Sequence, residues 1–184
     1  PQPQPQPRHG PPSSGTAHTA HTAQWEPGMS NPNPRSADRA QPYAQQYAYV
    51  PITAAERETM EAEQADDLEA AGLTDEDVDS VFSSARHGRL EDIERMLDRG
   101  MPVDVRDNHG NTILVIACQN GNKRVAKACL RRSADINVRN YKGNTPLHYC
   151  FSYGYGDTLG AYLIEKGADE KARNNAGKEV YDGI

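Results

Sequence analysis

The chain has 184 residues, a formal net charge of -6 at pH 7 and 36% hydrophobic residues, which suits one domain of ordinary size or a small domain with a tail. The acidic balance argues against a nucleic-acid binder held by phosphate contacts, and no apolar run approaches the roughly 20 residues that span a bilayer. Three cysteines without a CxxC pair are typical of reduced intracellular thiols rather than of a disulfide framework or a metal knuckle.

Residues 1–51 form a low-complexity tail that contains eleven of the 13 prolines. A segment of this composition buries too little apolar surface to offset its ordering entropy, so we expect it to be disordered or extended along a partner. Its aromatic residues suit docking into grooves of another protein, with a plain linker as the alternative. His18 and His21 are expected to bind metal ions only adventitiously. The candidate docking residues are Trp25, Tyr43, Tyr47 and Tyr49.

Residues 52–80 read as an acidic helical linker. Thr53 and Glu56 have the spacing of a capping box, and Gly72 is a plausible stop for the helix that follows. Thr74 is suited to cap a second helix, whose first turn is acidic. The apolar stripe is thin, which favours a solvated helix; an acidic arm for a basic partner is the alternative.

A repeat of about 33 residues runs through the remainder of the chain. Gly110 and Gly143 lie 33 residues apart, and Gly143 and Gly177 lie 34 apart. Gly88, Gly121 and Gly154 keep a spacing of 33, so the extra residue falls after Gly154, within GYGDTLG. A period of this length predicts a solenoid of stacked units. Two further sets keep the register: Leu97, Leu130 and Ile164, and Arg106, Arg139 and Arg173.

The unit at residues 107–139 shows what each repeat contains. A turn around Gly110 precedes a helix that Thr112 is placed to cap, with Leu114, Ala117 and Cys118 on one apolar face. Gly121 is expected to end this helix, and a second one is predicted at about 123–131. Ser133 stands where the other units have Gly100 and Gly167.

The stretches GNTPLHYC (143–150), EKGADEKAR (165–173), GNTILVIAC (110–118) and SADINVR (133–139) resemble the ankyrin repeat. The resemblance implies an all-α fold, an ankyrin-type α-solenoid of stacked helix-turn-helix repeats with short β-hairpin fingers. The irregular tail and the acidic helix would precede this domain. We expect it to span residues 81–184, as units 81–106, 107–139 and 140–173 and a partial unit 174–184. It also implies recognition of other proteins through the fingers and the concave helix face.

His148 and Cys150 invite a catalytic or metal-binding interpretation, but the resemblance implies a structural one. In ankyrin repeats the threonine and histidine of TPLH hold the turn and the helix start, here Thr145 and His148, and Cys150 shares a small-residue position with Ala117. Nothing nearby would activate a thiolate or complete a metal site. The sequence therefore predicts a protein that is not an enzyme, without catalytic residues, cofactor or metal.

The register of the repeats predicts which residues meet a partner, because finger tips and outward positions of the inner helices face solvent. Tyr149 and Tyr155 are expected either to bind or to fill gaps between repeats. The basic stretch KRVAKACLRR (123–132) reads as a solvated outer face; the alternative is that it meets an acidic partner or folds against the chain's own acidic segment. The candidates are Asn108, His109, Tyr141, Lys142 and Asn175 on the fingers, and Gln119, Asn120, Ser152 and Tyr153 on the inner helices.

These observations predict a non-catalytic adaptor or structural subunit of a larger hetero-oligomeric assembly, without nucleic acid or membrane partners. A regulatory inhibitor that occludes an enzyme or a transcription factor is the alternative. Residues 153–184 look similar to C-terminal ankyrin segments of protist and algal proteins, which suggests a cytoplasmic location, in the cytoskeleton or the ciliary axoneme. We expect residues 81–184 alone to be marginally stable, because each unit buries its apolar face only against its neighbours.

Overall fold

A computed structural model describes residues 51–184, and the four aromatic residues predicted to dock the tail lie outside this range. Within it, the helices follow one another with no β-strand between them. None of these helices is long and apolar enough to cross a membrane. The helices are α1 (Ala54–Ala70), α2 (Asp75–His87), α3 (Leu90–Asp98), α4 (Ile113–Gln119), α5 (Lys123–Arg131), α6 (Pro146–Ser152), a π-helical turn (Gly156–Gly160) and α7 (Ala161–Glu165).

Helices α1, α2 and α4 begin at the capping residues predicted from the sequence. The predicted capping box of Thr53 and Glu56 is present at the start of α1, and Thr74 forms another with Asp77 at the start of α2. Thr112 accepts the Val115 backbone N–H at 3.4 Å. Helix α5 covers the residues predicted for it.

The extra residue of the third repeat is accommodated inside a helix. The N–H of Gly160 donates to the carbonyl of Tyr155 at 2.9 Å, five residues earlier. One residue added to a helical turn widens it into a π-type turn without breaking the helix. The insertion predicted after Gly154 therefore leaves the register of the following helix intact.

The helices stack in two rows. Helices α2, α4 and α6 contact one another in turn as the inner row, while α3 and α5 pack behind them as the outer row. The sequence predicted one apolar face for α4, but every residue from Ile113 to Cys118 is buried. This helix is enclosed because α2, α6 and α5 all pack against it.

The predicted β-hairpin fingers are too short to form a continuous ladder of backbone hydrogen bonds. Only single antiparallel bridges are present among the described residues, Arg106 with Thr112 in the first finger and Arg173 with Glu179 in the third. A longer ladder of backbone hydrogen bonds is not needed in the fingers, because side-chain oxygens accept the backbone N–H groups of the turns, as described below.

Helix α1 belongs to the same packed unit as the repeats. Most of its side chains are exposed, as expected for a solvated helix, but Leu68 is buried and, with Leu73, joins the core of the repeats. At the other end of the stack, Val180 is fully buried and Tyr181 packs edge-on against Phe151, with ring centroids 4.5 Å apart. Residues on both sides of the three repeats thus cover the ends of their core.

Candidate protein-interaction groove

Each finger is closed by an aspartate or asparagine at the same register position. The Oδ1 atom of Asp107 accepts the backbone N–H groups of His109 and Asn111, at 2.8 and 2.9 Å. Asn140 and Asn174 accept equivalent pairs of N–H groups in the second and third fingers. These side chains replace the ladder of a hairpin and give the three turns one shape.

Neighbouring fingers are joined to each other. Asn140 donates to Oδ1 of Asn111 at 2.8 Å, and the N–H of Tyr141 donates to the carbonyl of His109 at 3.1 Å. The ring of Tyr141 lies so close to Gly110 that a Cβ atom there would sit 2.7 Å from it, and Gly110 has a φ of +72°. Only glycine meets both conditions without strain.

A groove of about 510 Å³ runs between the fingers and the inner helices. We call it the inner groove. Apolar and aromatic surface from Ile116 and Tyr149 meets charged groups of Arg57, Arg86 and Lys142 in its walls. Six of the predicted partner-binding residues line it: Asn108, His109, Gln119, Tyr141, Lys142 and Tyr153.

Three other predicted residues do not line the inner groove. The amide of Asn120 donates to the carbonyl of Ile116 in its own helix at 2.9 Å. Asn175 donates to the carbonyl of Tyr141 at 3.0 Å, and so joins the third finger to the second. Ser152 is exposed beside Gly183 at the C-terminal end. Whether these residues, or Trp25, Tyr43, Tyr47 and Tyr49 in the tail, contact a partner stays a prediction.

The tyrosines of the third repeat divide into structural and exposed members. Tyr149 is 8% exposed, and its hydroxyl accepts from the Asn140 amide at 2.9 Å, whereas Tyr153 is 48% exposed. Their rings stack with centroids 6.1 Å apart, and Gln119 donates to the Tyr153 hydroxyl at 3.3 Å. Tyr155 packs against the core. Tyr153 therefore presents a pre-positioned aromatic face to the groove.

Helix α1 forms one edge of the inner groove. Arg57 lies over the Tyr141 ring, 4.3 Å from its centroid, and pairs with Glu61 at 2.7 Å. Hydrogen bonds from Arg57 and then from Tyr141 lower the pKa of the Glu61 carboxyl. Gln64 exchanges two hydrogen bonds with the backbone of Arg106, at 2.6 and 3.1 Å. Sequence reasoning missed this edge, because α1 carries no repeat and its contacts lie 42 and 80 residues away.

His148 and Cys150 are buried, with no exposed surface. Thr145 donates its backbone N–H to Nδ1 of His148 at 3.2 Å, and Nε2 donates to the carbonyl of Lys178 at 3.2 Å. The predicted role of Thr145 and His148 in holding the turn is confirmed, and burial lowers the pKa of the imidazole. In residues 51–184 no three histidine, cysteine or acidic side chains group as a metal site requires.

Arginines at one position of the repeat join neighbouring units. The sequence aligns these residues, but no role was assigned to them from the sequence. The guanidinium of Arg106 donates to the carbonyl of Gly110 in its own finger at 2.9 Å and to that of Arg139 at 2.8 Å. Arg139 likewise reaches the carbonyl of Arg173 at 2.5 Å. The 33-residue spacing of these arginines was the signal for this function, since a residue that recurs once per unit can make the same contact with each following unit.

Comparison with known proteins agrees with this architecture. The family model for ankyrin repeats (3 copies) matches residues 81–174, just over half of the chain. Mouse protein phosphatase 1 regulatory subunit 27 is 38% identical over 93 residues, which cover 50% of this chain and 60% of that protein. Mouse protein phosphatase 1 regulatory subunit 12A is 27% identical over 129 residues, 70% of this chain and 12% of that protein.

The variola virus ankyrin repeat protein OPG189 is 36% identical over 95 residues, which cover 50% of this chain and 17% of that protein. The chain thus spans at most 60% of the length of these curated relatives. Repeats of this kind serve as protein–protein interaction modules, and the inner groove lies on the surface that the fingers and inner helices share. The family match, together with the stacked helix pairs and the finger turns, shows that this chain belongs to the ankyrin repeat family.

Proposed function

We propose that this chain is a non-catalytic adaptor whose inner groove binds a segment of another protein within a larger assembly. The observation that carries this proposal is the exposed ring of Tyr153, which is held in place by Tyr149 and Gln119. A tyrosine that is fixed before binding buries a large area with little further loss of side-chain entropy, which is why such residues dominate interfaces.

The walls of the groove suit a peptide segment with mixed chemistry. Arg57, Arg86 and Lys142 supply positive charge, while Asp107, the only acidic side chain that residues 51–184 contribute to the lining, is occupied by the finger turn. A partner segment with an apolar side chain for the tyrosines and a carboxylate near Lys142 would match this distribution.

Quantitative affinity purification of the full chain tests the proposal. Proteins captured by the wild type are compared with those captured by Tyr153→Ala and by a matched variant at another exposed tyrosine outside the groove, Tyr181→Ala. We expect a defined partner to be lost with Tyr153→Ala and kept with Tyr181→Ala. Equal capture by all three proteins would exclude the inner groove as the main binding surface.

A second candidate function is regulation of an enzyme, and the names of two relatives favour it, since both are regulatory subunits of protein phosphatase 1. In this case the chain would bind a phosphatase catalytic subunit and alter its access to substrates. Adding the purified chain to protein phosphatase 1 and measuring dephosphorylation of a protein substrate separates the two candidates. A passive adaptor leaves the rate unchanged, whereas a regulatory subunit changes it at stoichiometric concentration.

The location of the assembly is also a proposal. We propose a cytoplasmic assembly of the cytoskeleton or of cilia, as expected from the sequence. Microscopy of the tagged full chain tests it, because filamentous or axonemal staining is expected, and a uniform distribution would contradict it.

A further inference from the structure

A cluster of positive charge lies on the outer helices, and residues of two repeats build it. The Nζ atoms of Lys127, Lys123 and Lys166 lie 5.1, 5.5 and 5.6 Å from the centroid of the Tyr162 ring. Lys123 and Lys127 belong to α5 in the second repeat, whereas Lys166 and Tyr162 belong to the third. We call these four residues, together with Arg131, the basic patch.

The charge of the basic patch is only partly balanced within residues 51–184. Arg131 pairs with Glu94 at 3.6 Å and Lys166 with Glu165 at 3.3 Å, but neither Lys123 nor Lys127 forms an ion pair with a described residue. Ammonium groups gathered around one ring repel one another. A carboxylate placed between them would relieve this repulsion.

The basic patch borders an apolar floor. Leu130, Ala134 and Ile136 line a depression of about 400 Å³ beside Tyr162, and no acidic side chain from the described part of the chain lines it. A helix face that is covered only by solvent does not need such an apolar depression. Apolar surface enclosed by cations suits a ligand in which carboxylates flank an aliphatic side chain.

The chain's own acidic helix is engaged elsewhere. The side chains of Glu61 and Gln64 hold α1 against Tyr141 and Arg106 on the finger side. The protein as a whole carries a net charge of -6. The attraction of the basic patch for a negatively charged group therefore acts only over a short distance, within a screening length of about 8 Å at physiological ionic strength.

We propose that the basic patch binds an acidic segment of another protein, with aspartate or glutamate on both sides of an aliphatic residue. The segment would lie across α5 and α7, with its carboxylates at Lys123, Lys127 and Lys166 and its aliphatic side chain on Leu130 and Ile136. This surface is separate from the inner groove, so the inference does not rest on the function proposed above.

Fluorescence anisotropy on the full chain tests the inference. The probe is a short labelled peptide of glutamate and aspartate around a central leucine, and its control replaces every acid with glutamine or asparagine. We expect only the acidic peptide to bind. The double variant Lys127→Glu/Lys166→Glu should weaken binding at least about tenfold, since each replaced ammonium removes an attraction and adds a repulsion.

The matched control is Lys171→Glu/Lys178→Glu, which changes the net charge equally at exposed positions outside the patch. It should shift the affinity by less than about twofold, because these charges are screened over the longer distance. Equal weakening by both double variants would overturn the inference, since total charge would then explain binding. Thermal melts test whether both double variants are folded. If Lys127→Glu/Lys166→Glu is not folded, Lys127→Gln/Lys166→Gln replaces it.

Amide chemical shifts of the labelled full chain locate the bound peptide. Changes confined to α5 and α7 support the inference, whereas changes confined to the inner groove overturn it. Tighter binding of duplex DNA or of phosphatidylserine vesicles than of the acidic peptide, lost in the same Lys127→Glu/Lys166→Glu variant, would also overturn it. The patch would then recognise phosphate rather than an acidic protein segment.

Discussion

The hydroxyl of Tyr141, at the tip of the second finger, donates a 3.0 Å hydrogen bond to the carboxylate of Glu61 in the helix before the repeats. The two residues are 80 positions apart. Arg57 completes the contact by lying over the Tyr141 ring and pairing with the same carboxylate. The contact fixes one edge of the inner groove, so a segment outside the repeats helps to shape the surface that we expect a partner to use.

We expect Glu61→Ala to loosen helix α1. The substitution removes the acceptor of Tyr141 and the partner of Arg57, and the first turns of α1 then keep few contacts with the repeats. Hydrogen exchange measured by mass spectrometry should become a few-fold faster in residues 54–66. Glu58→Ala is the control, because it makes the same change on the same helix at an exposed position. Equal exchange in both variants would show that the Tyr141 contact does not hold the helix.

Ser133→Gly should stabilise the protein. Ser133 has a φ of +66°, in the left-handed region, where Gly100 and Gly167 stand in the other repeats. A residue with a Cβ pays roughly 1–2 kcal/mol there, so we expect the free energy of unfolding to rise by about 1 kcal/mol. Urea denaturation measures it. Ser80→Gly, in the interior of α2, should instead lower stability by about 0.5–1 kcal/mol, and a gain there would refute the conformational explanation.

Arg106→Met should weaken the contact between the first two repeats. The side chain keeps its length but loses the donors to the carbonyls of Gly110 and Arg139. These bonds are half-buried, so we expect a loss of about 1–2 kcal/mol in the free energy of unfolding. Arg95→Met is the matched control, since Arg95 forms an exposed ion pair with Asp92, and its loss should stay below about 1 kcal/mol. Equal losses would mean that the lateral bonds contribute no more than a surface pair.

His148 should make stability depend on pH. Burial lowers the pKa of this imidazole in the folded state below its ordinary value of 6.5. Below pH 6.5 the unfolded chain therefore binds a proton at this imidazole more readily than the folded protein does. The contribution of the neutral, buried His148 to the free energy of unfolding is present above about pH 6.5 and is lost as the pH falls through the folded pKa. The stability difference between wild type and His148→Gln should therefore shrink between about pH 7.5 and 5.5. A difference that stays constant over this pH range would argue against His148 as the source.

The three thiols should not react while the protein is folded. Cys118, Cys129 and Cys150 are all buried, and burial raises the pKa of Cys118 and raises that of Cys129 to about 12. Since the thiolate is the reactive form, iodoacetamide at about pH 8 should label them only after unfolding in urea. Cysteine introduced by Ser80→Cys, on the exposed face of α2, should be labelled at once in the same sample. Fast labelling of native Cys150 would reopen a catalytic interpretation of GNTPLHYC.

The repeat register, the helix caps at Thr53, Thr74 and Thr112 and the bounds of α5 could be predicted from the sequence, and the resemblance to ankyrin repeats implied the structural role of His148. The capping residues Thr53, Thr74 and Thr112 act within one helical turn, and the glycines at helix ends act on their own backbone. Each repeat contacts chiefly its neighbours, so a period of 33 residues also fixes which helices stack. These features depend on contacts that are short in sequence or repeat in every unit.

Other features were decided by the tertiary structure alone. The docking of α1 on Tyr141 and the gathering of three lysines around Tyr162 each depend on side chains brought together by the stacking of the helices. No local pattern marks these two features, since α1 lies outside the repeats and Tyr162 is a single residue of ordinary helical context. Their positions follow from the angle and spacing at which packed helices meet, and the free energy that sets this geometry is distributed over the whole core rather than over any one segment of the chain.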